Sequence, residues 1–358
     1  MTAPSSIAAI LASLLAESTV TPAQWESLMA WELADAERAR AWGITPDTVT
    51  THLEERLHWL RTLLPQHGAI SLAPAPLEMT LAMYWQVWLP LAQNLKQSHD
   101  RLSRPLIQGI LGGQGTGKTT LSLILSHILT AMGYSTLGFS IDDLYKTYAD
   151  RQCLRQVDPR LRWRGPPGTH DVELGVTMLD QLRQAQPGEA VAVPRFDKSL
   201  HGGEGDRVAP EWVKDVDIVL FEGWFLGARP LPLEQLEHHL ASPPDPIRTE
   251  ADRQFARDMN HQLIQYLPLW DRLDRLMILY PQDYRISKVW RQQAEQHMKA
   301  QGKSGMDDAQ IEAFVEYFWR ALHPDLFIAP LKRDRHHTHL VVEINLDRTP
   351  RAIYAPSE

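Results

Sequence analysis

The segment GILGGQGTGKTTLSL, Gly109 to Leu123, limits what this chain can fold into more than any other stretch. Its residues 112–119 match the pattern G-x-x-x-x-G-K-[ST] in every position. A strand-like run, PLIQGIL, leads into the pattern, and TLSLILSHILTAMG follows with the spacing of an amphipathic helix that ends at Gly133. Glycines let consecutive backbone N–H groups turn inward around phosphate oxygens, and a helix N-terminus adds a favourable dipole. The segment therefore predicts a strand–loop–helix unit that binds a nucleoside triphosphate.

Residues 112–119, here called the phosphate loop, include two side chains with predicted individual roles. Lys118 is expected to reach the β and γ phosphates, and Thr119 to bind Mg²⁺. The alternative is a glycine-rich turn of accidental spacing, and the flanking strand and helix argue against it. The predicted nucleotide contacts of the segment are Gly112, Gly113, Gln114, Gly115, Thr116, Gly117, Lys118, Thr119 and Thr120.

Composition and charge exclude several classes of protein. The 358 residues include 36 Lys and Arg against 44 Asp and Glu, so the net charge of −8 argues against a surface devoted to nucleic acid or anionic lipid. The single cysteine, Cys153, excludes an internal disulfide framework and a cysteine-based zinc site, and it favours a reducing, cytoplasmic compartment. Neither the sequence nor its composition indicates an oligomeric state.

Membrane association is not predicted either. The apolar run IAAILASLLA, Ile7 to Ala16, lacks a preceding Lys or Arg and a convincing cleavage site, so we interpret it as a helix rather than a signal sequence. No apolar segment of the sequence approaches the length needed to span a bilayer.

The pattern of the chain changes near residue 100. Residues 1–100 show helical spacing throughout, with Thr21-Pro22 and Thr45-Pro46 marking helix starts, and their role stays open. From residue 101 to residue 358, polar or helical stretches separate short apolar runs. These runs are PLIQGIL, STLGFSI, AVAVP, VDIVLF, RLMILY and HLVVEI. The alternation predicts an α/β fold with a mostly parallel central sheet flanked by helices, preceded by an N-terminal helical region.

Carboxylates follow two of the predicted strands. In an open parallel sheet the carboxyl ends of the strands surround the ligand crevice, so Asp142 is a candidate base for an acceptor hydroxyl, with Asp143 in reserve. The alternative for either residue is a helix N-cap. Glu222 ends the strand VDIVLF and is the candidate Mg²⁺ carboxylate, with an ordinary loop residue as the alternative.

Charged, glycine-rich loops lie between these strands, in residues 164–171, 194–199 and 202–207. They suit closure around a small anionic or polyhydroxylated substrate, and His170, Lys198 and Arg207 are candidates to neutralise its carboxylate. Solvated loop positions are the alternative. Residues 283–291 follow a later strand and are predicted to form a helix that places Arg285 and Lys288 on one face, as a phosphate-clamping lid requires. An ordinary charged surface helix is the rival interpretation.

Taken together, these segments resemble a known family. The phosphate loop, SIDDLY, GPPGTHD, RFDKSLHGGEGDR, FEGWFLG and VWRQQAEQHMKAQGKSGMDDAQIEAFVEYF are similar to the D-glycerate 3-kinases of the plant and cyanobacterial type, P-loop kinases of the phosphoribulokinase/uridine kinase group. The likeness runs from about Leu106 to about Ile344. One departure is Leu144, where the group often has an aromatic residue.

The resemblance implies ATP- and Mg²⁺-dependent phosphorylation of D-glycerate to 3-phosphoglycerate by direct in-line transfer. It implies a base at Asp142, Mg²⁺ at Thr119 and Glu222, and lid cations at Arg285, Lys288 and Arg291, with Lys118, Asp142 and Arg285 as the catalytic set and Lys288 and Arg291 added to the nucleotide site. The implied substrate contacts are Asp142, Asp143, Tyr145, His170, Asp171, Lys198 and Arg207. The predicted partner is a small molecule, with no nucleic acid and no membrane.

Two other functions stay open at this point. One is another kinase of the same group, acting on a nucleoside, pantothenate or a sugar. The other is a non-catalytic regulatory protein that uses the phosphate loop only to bind ATP.

Overall fold

A six-stranded sheet forms the centre of the computed structural model, which describes residues 7–16, 20–69, 76–300 and 306–357. The strands of the described chain are β1 (Leu106–Gly112), β2 (Thr136–Ser140), β3 (Val191–Asp197), β4 (Asp206–Val213), β5 (Ile218–Gly223), β6 (Arg275–Pro281), β7 (Leu340–Ile344) and β8 (Pro350–Tyr354). The sheet has the order β2-β5-β1-β6-β7-β8, in which only β8 runs antiparallel to its neighbour. The predicted α/β class with a mostly parallel sheet is confirmed.

Helices cover both faces of this sheet. Those in the described residues are α1 (Ile7–Ala16), α2 (Pro22–Ala34), α3 (Ala36–Ala41), α4 (Val49–Leu63), α5 (Leu77–Met83), α6 (Leu89–His99), α7 (Lys118–Ala131), α8 (Tyr148–Val157), α9 (Val172–Gln184), α10 (Leu233–Ala241), α11 (Glu250–Gln262), α12 (Leu267–Trp270), α13 (Ile286–Ala300), α14 (Asp308–Ala321) and α15 (Pro324–Phe327). None of them is long and apolar enough to cross a membrane.

The hydrophobic core has two halves, one on each face of the sheet. Alternate side chains of a strand point to opposite faces, so Leu106 and Ile110 of β1 enter one half while Ile107 and Leu111 enter the other. The first half is completed by helices α1 to α7, and the second by helices that include α9 to α12 and α14. The first hundred residues therefore bury one face of the sheet, although the domain boundary near residue 100 stays a prediction.

The helix starts in this region follow the sequence signals in part. The run Ile7–Ala16 forms α1, as predicted, and its Leu11 and Leu14 are fully buried in the core. Thr21 caps α2 in a capping box with Pro22 in the first turn, which confirms that start. The start predicted at Thr45-Pro46 is wrong by a few residues, because the Thr45 N–H donates to the Thr48 hydroxyl in a turn and α4 begins only at Val49.

One predicted strand lies outside the central sheet. The run AVAVP belongs to β3, which pairs antiparallel with β4 in a separate two-stranded ribbon. The physical reason is Pro194, which has no N–H to donate to a ladder and sits where the β3–β4 register shifts. Part of the segment expected to be a loop at 202–207 is the start of β4, and the strands β4 and β8 were not predicted.

The stability of the N-terminal helices is expected to depend on one buried ion pair. Arg56 Nη1 donates to Glu32 Oε1 at 2.5 Å, and the two side chains are 1% and 0% exposed. Arg56→Met should lower the free energy of unfolding by about 3–5 kcal/mol, because it leaves a buried carboxylate without its partner. Urea unfolding measures this.

The double variant Glu32→Leu/Arg56→Met should recover most of that loss, since no unpaired charge remains. Glu26→Gln, an exposed change on the same helix, serves as the control. Equal losses in the single and double variants would contradict the ion-pair explanation.

Candidate active site

The carboxyl ends of three neighbouring strands assemble the site. Parallel pairing places Glu222 of β5 beside Ser140 of β2 on one side and beside Ile110 of β1 on the other. The phosphate loop leaves the end of β1, and a 3₁₀ turn carrying Asp142 leaves the end of β2. The sheet therefore brings the loop, Asp142 and Glu222 to one edge, as expected for ligand binding in an open parallel sheet.

The phosphate loop has the conformation that its glycines predict. Gly115 and Gly117 have φ angles of 79° and 90°, a region that favours glycine, and Gly117 caps α7. The Lys118 Nζ folds over the loop and donates to the Gly113 carbonyl at 3.0 Å. Burial lowers the pKa of Lys118, while the nearby carboxylates of Glu222 and Asp142 act to raise it, so both carboxylates lie within electrostatic reach of this ammonium.

Oxygen atoms suited to Mg²⁺ meet at the first turn of α7. The Thr119 hydroxyl donates to Glu222 Oε1 at 2.7 Å, and the Ser122 hydroxyl donates to Glu222 Oε2 at 3.4 Å. Hydroxyl and carboxylate oxygens are the ligands that Mg²⁺ prefers, so the donor set fits the ion. Ser122 was not among the predicted residues, although its i+3 spacing from Thr119 on a helix could have indicated it.

Asp142 is engaged at both carboxylate oxygens. The Lys198 Nζ lies 2.6 Å from Oδ2, and the Tyr145 hydroxyl donates to Oδ1 at 2.7 Å. Burial acts to raise the pKa of Asp142, but Lys198 and the hydroxyl outweigh it and hold that pKa below its ordinary value. Asp142 is therefore an ionised carboxylate at neutral pH, beside the phosphate loop.

Asp143 has a different environment, although it is adjacent in sequence. Its Oδ2 accepts a hydrogen bond from the Ser140 N–H at 3.0 Å in a capping box and another from Arg195 at 3.1 Å. Burial raises the pKa of Asp143. The N-cap of this turn is Ser140, and Asp143 completes its capping box from the third position of the turn. Asp142 therefore remains the candidate base.

His170 is buried and cannot supply positive charge at neutral pH. It is 2% exposed, its Nδ1 lies 2.7 Å from the Tyr266 hydroxyl, and its ring stacks on Tyr145. Burial lowers the pKa of His170 to about 3. The expectation that it neutralises a carboxylate is therefore wrong. Its Nε2 is buried and has no hydrogen-bond partner among the described residues.

Asp171 and Arg207 form a pair that fixes the surrounding loops. Asp171 caps α9 through the Leu174 N–H, and its Oδ2 accepts from Arg207 Nη2 at 2.8 Å. Arg207 Nε also donates to the Tyr145 carbonyl at 2.9 Å. Both residues therefore position Tyr145 and the start of α9, at the side of the site that Asp142 faces.

The three expected lid cations pair with carboxylates that lie outside the phosphate loop. The helix α13 begins at Ile286, so Arg285 lies in the preceding turn, 61% exposed and paired with Asp283. The predicted start of this helix at Asp283 is wrong, because Asp283 accepts from the Arg285 N–H and closes a turn there. On α13, Lys288 pairs with Glu312 and Glu316 of α14, and Arg291 pairs with Glu295.

Two side chains from other elements contact the phosphate loop. Trp290 belongs to α13, and Arg348 belongs to the β7–β8 turn. A Cβ at Gly115 would lie 2.5 Å from Trp290 Cβ, and Arg348 Nε donates to the Gly115 carbonyl at 2.8 Å. The Trp290 indole N–H donates to the Leu346 carbonyl at 2.8 Å. Sequence analysis assigned neither residue to the site. No motif marks Arg348, which is 233 positions from Gly115.

The chain is similar to several kinases. It is 31% identical over 258 residues to the chloroplastic D-glycerate 3-kinase of Arabidopsis thaliana, covering 69% of this chain and 54% of the relative, so it spans about half of the length of that protein. It is 34% identical over 223 residues to an uncharacterized kinase of Schizosaccharomyces pombe, covering 60% of this chain and 79% of the relative. No family model matches the chain.

A solved structure agrees with these relatives. The D-glycerate 3-kinase of Cryptococcus neoformans superposes with a TM-score of 0.68 and 29% identity, covering 75% of this chain and 98% of that one. Within the segment that carried the resemblance at 289–318, residues 301–305 lie outside the described part of the structure.

Gly115→Ala is expected to abolish nucleotide binding. The new Cβ would overlap Trp290, and the φ of 79° disfavours any side chain. The matched control is Gly138→Ala on β2, whose Cβ would have nothing within 4 Å. Titration calorimetry with an ATP analogue should detect no binding by Gly115→Ala and unchanged binding by Gly138→Ala. Equal affinities would contradict the packing described for this loop.

Proposed function

The chain belongs to the family of P-loop kinases that includes the D-glycerate 3-kinases, and from this membership we propose that it transfers the γ-phosphoryl group of ATP to the 3-hydroxyl of D-glycerate. The observation that carries the proposal is the pairing of Asp142 with Lys198 within electrostatic reach of Lys118. A carboxylate suits the removal of a hydroxyl proton, and an ammonium beside it suits an acceptor that carries its own carboxylate.

The nucleotide half of the reaction relies on positioning and charge. In the proposal, the N–H groups of the phosphate loop bind the phosphates, and Lys118 exchanges the Gly113 carbonyl for the β and γ oxygens. Thr119 and Glu222 would hold Mg²⁺, with Ser122 orienting Glu222. Bound there, Mg²⁺ would neutralise charge on the phosphate oxygens.

The acceptor half relies on the cluster around Asp142. In the proposal, the hydroxyl of the acceptor donates its proton to Asp142 while its oxygen attacks the γ-phosphorus in line. Lys198 binds the acceptor carboxylate, and Arg207 holds the adjacent wall through Tyr145 and Asp171.

A panel of acceptors with ATP and Mg²⁺ tests the substrate. D-glycerate should be phosphorylated at its 3-position, whereas a nucleoside, pantothenate and simple sugars should not. Rapid phosphorylation of one of those alcohols with none of D-glycerate would refute the substrate. ATP consumption that is the same with and without every acceptor would refute the kinase activity itself.

Substitution of the two adjacent carboxylates separates the base from the cap. Asp142→Asn should lower kcat by about 10²–10⁴-fold, the range for loss of a general base, with ATP affinity retained. Asp143→Asn should mainly lower the melting temperature, because Asp143 caps its turn and pairs with Arg195. Steady-state kinetics and thermal unfolding measure the two effects. Equal losses of kcat in both variants would show that Asp142 has no special role.

A further inference from the structure

A cation lies against the base proposed for the reaction. A neighbouring positive charge stabilises the ionised form of a carboxylate and makes it a weaker base. Asp142 Oδ1 accepts the Tyr145 hydroxyl, and Oδ2 lies 2.6 Å from the Lys198 ammonium. The Tyr145 ring is itself buried and stacked on His170, so the hydroxyl of Tyr145 is fixed. Lys198 is therefore the partner whose departure would uncover Oδ2 and restore the basicity of the carboxylate.

Lys198 has the mobility that such a departure requires. Its side chain is 59% exposed, and Asp142 is its ion-pair partner within the described chain. Its backbone, by contrast, is held in place: Asp197 Oδ1 accepts from the Ser199 N–H at 2.8 Å, directly after β3. Arg151 and Arg164 donate to the carbonyls of Gly205 and Gly203 at the tip of the same ribbon. The ammonium can swing while the loop that carries it stays fixed.

We propose that Lys198 is a substrate-controlled latch on Asp142: the carboxylate of the acceptor draws the ammonium away from Oδ2 and so frees this oxygen to accept the proton of the acceptor hydroxyl. The proposal rests on the proposed function and adds how the same site is controlled. An acceptor without a carboxylate leaves the latch closed.

The ammonium stays paired throughout the exchange, because it leaves one carboxylate and gains another. Asp142 loses its cation and keeps the Tyr145 hydroxyl, and the acceptor hydroxyl donates to the oxygen that Lys198 leaves. Loss of the cation makes Asp142 a stronger base, which favours uptake of the proton. In the step that follows, the acceptor oxygen bonds to the γ-phosphorus as the bond from that phosphorus to the β–γ bridging oxygen breaks. ADP leaves with that electron pair, and the proton of the hydroxyl remains on Asp142 until water removes it.

The latch also explains how water is excluded as an acceptor. Water lacks a carboxylate and leaves Lys198 on Oδ2, so the base stays masked while ATP is bound alone. The remaining charged or titratable groups that face Asp142 are Lys118 from α7, Tyr145 from its own turn and His170 from the loop before α9. In the proposal the acceptor carboxylate contacts none of these three groups. Lys198, and none of these three, therefore couples binding of the acceptor to the basicity of Asp142.

The test compares D-glycerate, glycerol and water as acceptors in the full chain and in Lys198→Met. Glycerol keeps the hydroxyls of glycerate and lacks its carboxylate. The variant should lose about 10–100-fold in kcat/KM for D-glycerate, as expected for one hydrogen bond to a charged group. Its turnover of glycerol and its acceptor-free ATP hydrolysis should both rise several-fold, because the base is no longer masked.

The pH profile gives a second readout. Lys198 holds the pKa of Asp142 below its ordinary value, so that pKa should rise in Lys198→Met. The base works only when ionised, and the acid limb of kcat for glycerol should therefore move to higher pH in the variant. Lys214→Met, an exposed change beyond the other end of the ribbon, should alter none of these quantities, and Lys198→Arg should restore part of the preference for glycerate.

The outcomes separate the latch from the function on which it rests. No phosphorylation of D-glycerate by the unaltered chain would overturn the proposed function. If the chain does phosphorylate D-glycerate, a Lys198→Met loss confined to D-glycerate, with glycerol turnover and hydrolysis unchanged, would make Lys198 a carboxylate-binding residue only and overturn the latch. A uniform loss with all three acceptors would overturn it as well.

Discussion

Parallel pairing of β2, β5 and β1 is the constraint on which the rest of this site depends. Backbone ladders fix which residues stand side by side, so Ser140, Glu222 and Ile110 form one row across three strands. The loops and turns that follow these three strand ends therefore lie close together. The loop glycines and the capped turn after β2 then decide which atoms face inward. The chemistry is thus placed by backbone hydrogen bonds, and the side chains refine it.

Within that space, charges occur in compensated sets. Asp142 is paired with Lys198, Asp143 with Arg195, and Asp171 with Arg207. A half-buried charge that lacks a partner is costly, so the carboxylates of the site balance its cations. An anionic ligand would compete with these carboxylates, and Lys198, with 59% of its side chain exposed, is the cation most accessible to it.

The sequence predicted those parts that local chemistry determines. The phosphate loop, its strand and its helix were correct because glycine conformations and apolar spacing act over a few residues. The helix start at Thr21 was correct for the same reason. By contrast, β3 was assigned to the central sheet because its apolar run resembles a buried strand, and only its pairing with β4 and the place of Pro194 show otherwise.

Contacts between residues that lie far apart along the chain could not be predicted from the sequence. Nothing in the order of residues indicates that Lys198 meets Asp142 or that Arg348 reaches the Gly115 carbonyl. The charge of His170 could not be read either, since it depends on how completely Tyr145, Tyr266 and Phe225 enclose its ring. Burial is a property of the assembled fold, and it makes neutral a side chain that was expected to carry positive charge.

The same exchange of partners applies to the expected lid residues. Lys288 is held by Glu312 and Glu316, while Trp290 on the same helix already contacts the phosphate loop. Lys288 can bind a phosphate only if it leaves these two carboxylates, one of which is exposed and therefore weakly paired. A nucleoside triphosphate carries more negative charge than the two carboxylates together. Closure of the site and release of Asp142 would then obey one rule: an anionic ligand replaces a protein carboxylate at a cation that is already in place.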